Sequence, residues 1–89
     1  MNFEGKVAVI TGSSAGIGAE AAKKISALGG KVTINYSKSK EAAEEVAHEC
    51  SQLGESPLII KSDIATDEGC KHLIDSAFSE FGAINILIN

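Results

Sequence analysis

Three times in 89 residues a short β-branched run gives way to a longer stretch of helical periodicity, and each such stretch ends at a glycine. The short runs are residues 6–11 (KVAVIT), 31–36 (KVTINY), 58–60 (LII) and 84–88 (INILI). Between them apolar residues recur at Ile17, Ala21, Ile25 and Leu28, then at Ala42, Val46, Cys50 and Leu53, then at Cys70, Leu73, Ile74, Ala77 and Phe81. That spacing places each set on one helix face. Gly29, Gly54 and Gly82 stand where helices can stop. Thr66 is placed to cap the third helix, with Asp67 and Glu68 in its first turn. The resulting order, βαβαβαβ, implies an α/β fold of Rossmann type: a parallel sheet, right-handed crossovers and helices on both faces.

A chain of this length allows one small domain, residues 1–89. A doubly wound sheet normally runs to about six strands. Ending at the fourth would leave one face short of helices and one edge open, so an incomplete domain, truncated after the fourth strand, is expected. Apolar residues make up 44% and are mostly Ala, Ile, Val and Leu, which suits close helix-on-sheet packing. The net charge of -4 is spread among interspersed acids and bases, with no basic stripe for nucleic acid. No apolar run is long enough to cross a bilayer, and the opening leads straight into a strand with no signal peptide. A cytoplasmic protein is therefore expected, with Cys50 and Cys70 as buried or half-buried free thiols and no metal site. His48 and His72 have no partner at ligand spacing and read as solvated, and the glutamates between residues 41 and 49 read as a wet helix face.

The segment Thr11-Gly12-Ser13-Ser14-Ala15-Gly16-Ile17-Gly18 carries the chemistry, at a junction of strand and helix. Gly12 permits a sharp turn, Gly16 leaves room for a pyrophosphate, and Gly18 lets the helix lie close to the sheet. The first-turn N–H groups and the helix dipole favour an anion, and Ser13 and Ser14 add hydroxyl donors. A glycine-rich turn without a ligand is the plain alternative.

The pattern Thr-Gly-xxx-Gly-x-Gly differs from both GxGxxG and the P-loop, and it resembles that of the short-chain dehydrogenase/reductase family. Asp63-Ile64, just past the third run, matches the acidic position that the family sets against adenine. The last run leads to Asn89, which matches the first residue of the family's Asn-Asn-Ala-Gly segment, and Asn85 stands where the family usually has Asp. The opening residues 1–6 are similar to those of bacterial 3-oxoacyl acyl-carrier-protein reductases. The resemblance implies a catalytic Ser, Tyr and Lys beyond the fourth strand, so this chain holds no catalytic residue and is expected to be inactive alone. Tyr36 and Lys40 reproduce the Tyr-xxx-Lys spacing by coincidence, because they lie at a strand end.

An NAD site usually carries Asp or Glu at the end of the second strand. Asn35, Tyr36 and Ser37 occupy that place, and no acid is present to repel a 2′-phosphate. Ser37 and Lys38, or Lys40, can meet that phosphate, so NADP is expected over NAD; Ala15, where many NADP-using relatives carry Arg, argues the other way. The expected cofactor contacts are thus Gly12, Ser13, Ser14, Gly16, Ile17, Gly18, Tyr36, Ser37, Lys38, Asp63, Ile64 and Asn89. The resemblance implies an oxidoreductase acting on a carbonyl, with a 3-oxoacyl thioester as substrate class, and a homo-oligomer for the complete enzyme. A truncated nucleotide-binding module without turnover is the alternative. A methyltransferase is disfavoured, because it commonly wants an acid at the end of the second strand.

Overall fold

Apart from residues 31–36 (KVTINY), where polar and apolar residues alternate, the β-branched runs are largely apolar on both sides, and a strand of that kind needs cover on both faces. The computed structural model, which describes residues 2–89, supplies it. The elements are β1 (Val7–Ile10), α1 (Gly16–Ala27), β2 (Lys31–Tyr36), α2 (Lys40–Leu53), β3 (Leu58–Lys61), α3 (Asp67–Phe81) and β4 (Ile86–Ile88). All pairings are parallel and the sheet order is β3-β2-β1-β4. The chain builds outward from β1 to β3, then crosses back to place β4 on the other side of β1. That reversal opens a crevice at the carboxyl ends of β1 and β4, where open α/β sheets take their ligands.

Alternate residues of the strands feed two cores. Ala8, Ile10, Val32 and Ile34 meet Ala19, Ala22 and Ile25 of α1 and Ala43, Val46 and Cys50 of α2. On the opposite face Val9 meets Leu73 and Ala77 of α3, with Ile60, Ile74 and Ile84 around them. Helices therefore cover both faces, as the alternation implies. Leu73, 1% exposed, is the main anchor of α3, and truncating such a side chain to Ala costs about 2–5 kcal/mol. Leu87 shares the α3 face through its pairing with Val9 and is 54% exposed. α3 lies over β1, β2 and β3.

Several expectations change in detail, while Ile25, Val46 and Cys50 are buried as their spacing implies. Ile17 is 89% exposed, and α1 turns Ala19, Ala22, Ile25 and Ser26 inward. Ala19 and Ala22 line the core beside the larger Ile25. In α2 the buried set is Ala43, Val46, Ala47 and Cys50, with Leu53 half exposed. Cys70, expected inside, is exposed on the first turn of α3, with its thiol donating to the Ile64 carbonyl at 3.2 Å. Glu49 leaves the wet face to pair with Lys23 at 3.0 Å, joining α2 to α1. β4 starts two residues late, because Asn85 replaces a ladder rung: its Oδ1 accepts from the Val7 N–H at 2.9 Å and its own N–H donates to the Val7 carbonyl.

The helix ends also divide by mechanism. Gly29 and Gly30 donate to the Ser26 and Ile25 carbonyls, the bonding pattern of a Schellman motif. Gly54 needs no left-handed backbone, since its φ is −167°. A side chain there would instead collide with the Ser26 carbonyl oxygen, so this glycine marks the contact between α2 and the end of α1.

Candidate nucleotide-binding site

Every expected site residue from the first three strands falls at one end of the sheet. Register aligns Ile10 with Ile34 and Ile88, and Tyr36 with Lys61. The glycine turn, Tyr36–Lys38, Asp63–Ile64 and Asn89 thus follow the carboxyl ends of neighbouring strands. Thr11 extends the β1–β4 pairing, its N–H donating to the Ile88 carbonyl at 2.9 Å. The chain then turns at Gly12 (φ +60°) and again at Gly16 (φ +59°), both in the left-handed region where a side chain adds strain. A Cβ on Gly16 would meet nothing within 4 Å, so the space over it is open.

The start of α1 differs from the other two. Ser39 caps α2 by accepting from the Ala42 N–H, and Thr66 caps α3 by accepting from the Gly69 N–H. At α1 the cap position is Ala15, with no side-chain acceptor. First-turn N–H groups have no partner within a helix. Those of α1 therefore remain for an anion, with the positive end of the helix dipole behind them. Ala15, Gly16 and Ile17 are exposed and Ser14 is half-buried beside them.

Two expected roles are corrected by the geometry. Ser13 is fully buried; its hydroxyl donates to the Ile10 carbonyl at 2.7 Å and accepts from the Asn35 N–H at 2.8 Å. Its one proton is thus engaged inside, so it braces the turn and offers no hydroxyl donor outward. Gly18 is required not by the sheet but by the turn: a Cβ would lie 2.8 Å from the Gly12 oxygen and 3.0 Å from Ser13 Cα.

Asn35 is the residue whose part sequence reasoning missed. It is 2% exposed, its Oδ1 accepts from the Gly12 N–H at 3.0 Å, and its Nδ2 donates to the Ser62 carbonyl at 3.2 Å. Longer approaches run from Nδ2 to the carbonyls of Tyr36 and Ile60. A carboxylate at this position would face those carbonyls in a buried setting, an expensive arrangement. The absence of an acid at 35 therefore has a structural cause in this hydrogen-bond surround. The signal was available: a polar residue at an inward position of a buried strand demands a partner.

Tyr36 is half-buried with its ring against the α1–α2 core, while Ser37 and Lys38 are exposed. Lys38 and Lys40 form no ion pair among the described residues. Tyr36 closes a strand and Lys40 opens a helix, so the two share no helix face. Asp63 is exposed on the β3–α3 loop, its Oδ1 accepting from the Ala65 N–H at 2.9 Å, and Ile64 beside it is 37% exposed. Asn89 is exposed next to the tip of β1. A hollow of about 470 Å³ lies at the opposite end of the sheet, lined by Asn2, Phe3, Lys6, Asn85 and Ile86. It is far from the strand tips where the polar groups converge. Among the described residues no cluster of His, Cys, Asp or Glu is arranged to hold a metal, and no helix is long and apolar enough to cross a membrane. Both His48 and His72 are exposed. Burial pushes the Cys50 thiol above its ordinary pKa, opposed by the Ser26 hydroxyl beside it.

Comparison with known proteins adds an independent line. A short chain dehydrogenase of Cryptosporiopsis is 39% identical over 85 residues, which are 96% of this chain and 32% of that relative. A mutant of the Serratia marcescens short-chain dehydrogenase/reductase superposes with a TM-score of 0.95 at 36% identity, covering all of this chain and 36% of that one. A short chain dehydrogenase from Burkholderia cenocepacia, solved in complex with NADP, gives a TM-score of 0.94 at 37% identity, again over all of this chain and 36% of its own. This chain thus spans about a third of the length of the relatives it matches. The model of the short chain dehydrogenase family matches residues 6–89, from the residue before β1 to Asn89, and with the glycine turn and strand order already described it settles that the chain belongs to the short-chain dehydrogenase/reductase family.

Proposed function

We propose that this chain forms the adenosine- and pyrophosphate-binding part of an NADP(H)-dependent oxidoreductase that reduces a carbonyl or oxidises the corresponding alcohol. The observation that carries the reading is the uncapped start of α1 at a doubly left-handed glycine turn, set at the sheet's switch point. The residues present fit a dinucleotide. First-turn N–H groups and the open space over Gly16 receive the pyrophosphate, with Ser14 and Ile17 beside them. Asp63 and Ile64 border the adenine, and Asn89 lies toward the reacting half. Tyr36, Ser37 and Lys38 meet the adenosine ribose, and no acid stands among them to repel a 2′-phosphate. The exposed ammonium of Lys38 supplies compensating charge.

When bound, the cofactor supplies or accepts the hydride; this chain's residues bind and orient its adenosine half. None of them is assigned proton transfer, and a catalytic Ser, Tyr and Lys are proposed for the complete enzyme only. A 3-oxoacyl thioester is the proposed substrate class, on the similarity of residues 1–6 to acyl-carrier-protein reductases. A homo-oligomer in the cytoplasm is proposed for the complete enzyme. Calorimetric titration with NADPH and with NADH tests the reading. Saturable binding with NADPH at least tenfold tighter supports it, tighter NADH refutes the roles of Ser37 and Lys38, and no binding by either refutes the site.

A further inference from the structure

A buried hydrogen-bond path crosses the sheet from the glycine turn to the loop that carries Asp63. It begins at the Ile10 carbonyl, which accepts from Ser13 Oγ, and Ser13 Oγ accepts from the Asn35 N–H. The Asn35 side chain accepts from Gly12 and donates to the Ser62 carbonyl. Ser62 Oγ in turn donates to the Gly69 carbonyl on the first turn of α3, and the Ser62 N–H donates to the Tyr36 carbonyl. Gly69 itself can carry no side chain, since a Cβ would collide with the Asp63 carbonyl oxygen. Ser13, Asn35 and Ser62 are all at least nine-tenths buried.

Only one orientation of the Asn35 amide satisfies this surround, because the glycine turn offers it a donor and β3 offers it acceptors. No other residue type of that size supplies both. Aspartate loses the donor, and leucine loses donor and acceptor together.

We propose that Asn35 is a positioning residue: its carboxamide holds the glycine turn and the Asp63–Ile64 loop at one fixed spacing, so that the phosphate and adenine ends of a dinucleotide are bound as a unit. The assignment of those two ends rests on the function proposed above. The hydrogen-bond path that fixes the spacing does not. Networks of this kind in a low-dielectric interior hold their members more rigidly than exposed bonds do.

Amide hydrogen exchange of the full chain tests it, comparing the wild type with Asn35→Leu and Asn35→Asp. Exchange at Val46 and Ala47, inside α2, reports global opening. Positioning predicts at least tenfold faster exchange at Gly12, Ser62 and Thr66 in Asn35→Leu. In Asn35→Asp, which keeps the acceptor, Gly12 stays protected while Ser62 and Thr66 accelerate. Val46 and Ala47 change by less than twofold in both. Uniform acceleration, or no local change, overturns the proposal. Should both variants fail to fold, Ser13→Ala gives the same reading: faster exchange at Gly12 and Asn35 with Val46 unchanged supports it, and uniform acceleration overturns it. NADPH titration at a temperature where each variant is folded adds the binding arm, with a loss of at least tenfold expected for both. Absence of NADPH binding in the wild type refutes the functional reading, and the exchange pattern still decides the role of Asn35.

Discussion

Gly18→Ala puts two large effects against each other inside the candidate site. Gly18 is helical, so alanine there improves helix propensity by about 0.9 kcal/mol. The new Cβ, however, would lie 2.8 Å from the Gly12 oxygen, 3.0 Å from Ser13 Cα and 3.2 Å from the Gly12 carbonyl carbon. Carbon contacts are most favourable at about 3.5–4.0 Å, and every neighbour here is backbone, with no flexible end to swing aside. Relieving such an overlap costs about 1–3 kcal/mol. The net is a loss of about 1 kcal/mol, or about 4–8 °C in the melting temperature of a domain this size. The relief must come from the Gly12–Ser13 turn, so NADPH affinity falls by about tenfold, equivalent to about 1.4 kcal/mol. Circular dichroism melts and calorimetry read the two numbers. A variant that melts higher than the wild type and binds NADPH unchanged would refute the assignment of Gly18 to the turn.

Four other substitutions follow from the same structure. Ser37→Asp places a carboxylate after β2 and should weaken NADPH by at least tenfold while strengthening NADH, which calorimetry measures directly; unchanged selectivity would show that the ribose lies elsewhere. Thr66→Ala removes the α3 cap and should cost about 1 kcal/mol, whereas Ala15→Ser, offering a cap at α1, should compete with the anion and weaken NADPH while leaving the melt the same or higher. A thiol reagent should modify Cys70 in the folded chain and reach Cys50 only on unfolding. Since burial raises the folded pKa of Cys50, the unfolded thiol ionises first. Stability linked to it is then fully present below about pH 8.5 and lost as pH rises through the folded value. Cys50→Ala should remove that part of the alkaline slope in pH-dependent melts.

The alternation of β-branched runs and helical stretches made the fold legible, because periodicity reports which faces are covered. The bounds of β2 and the capping of α3 by Thr66 followed from sequence alone. Ile17 misled although its spacing to Ile25 was right: it lies on the first turn of α1 beside the glycine turn and is turned out, whereas Ile25, of the same size, is buried. Cys70 and Phe81 likewise kept the right spacing at the rim of a face that is anchored by Leu73 and Ala77. At the site, Gly12 was legible as a turn glycine, since the order of strand, glycine and helix constrains the backbone locally, whereas the left-handed backbone of Gly16, read only as room for a pyrophosphate, was not. The roles of Ser13 and Asn35 were not. Each depends on partners more than twenty residues away, brought together only by the pairing of β1 with β2 and of β2 with β3. Gly54 shows the same limit in part: it stops α2 as read, but its contact with the Ser26 carbonyl of α1 was not legible.

The most direct test of the account is to map amide chemical shifts of the chain during titration with NADPH. The account predicts that shifts concentrate in residues 12–18, 36–38 and 63–64 and at Asn89, all beyond the carboxyl ends of the strands. Shifts confined to the hollow formed by Asn2, Phe3, Lys6, Asn85 and Ile86, or no shifts at millimolar NADPH, would contradict it.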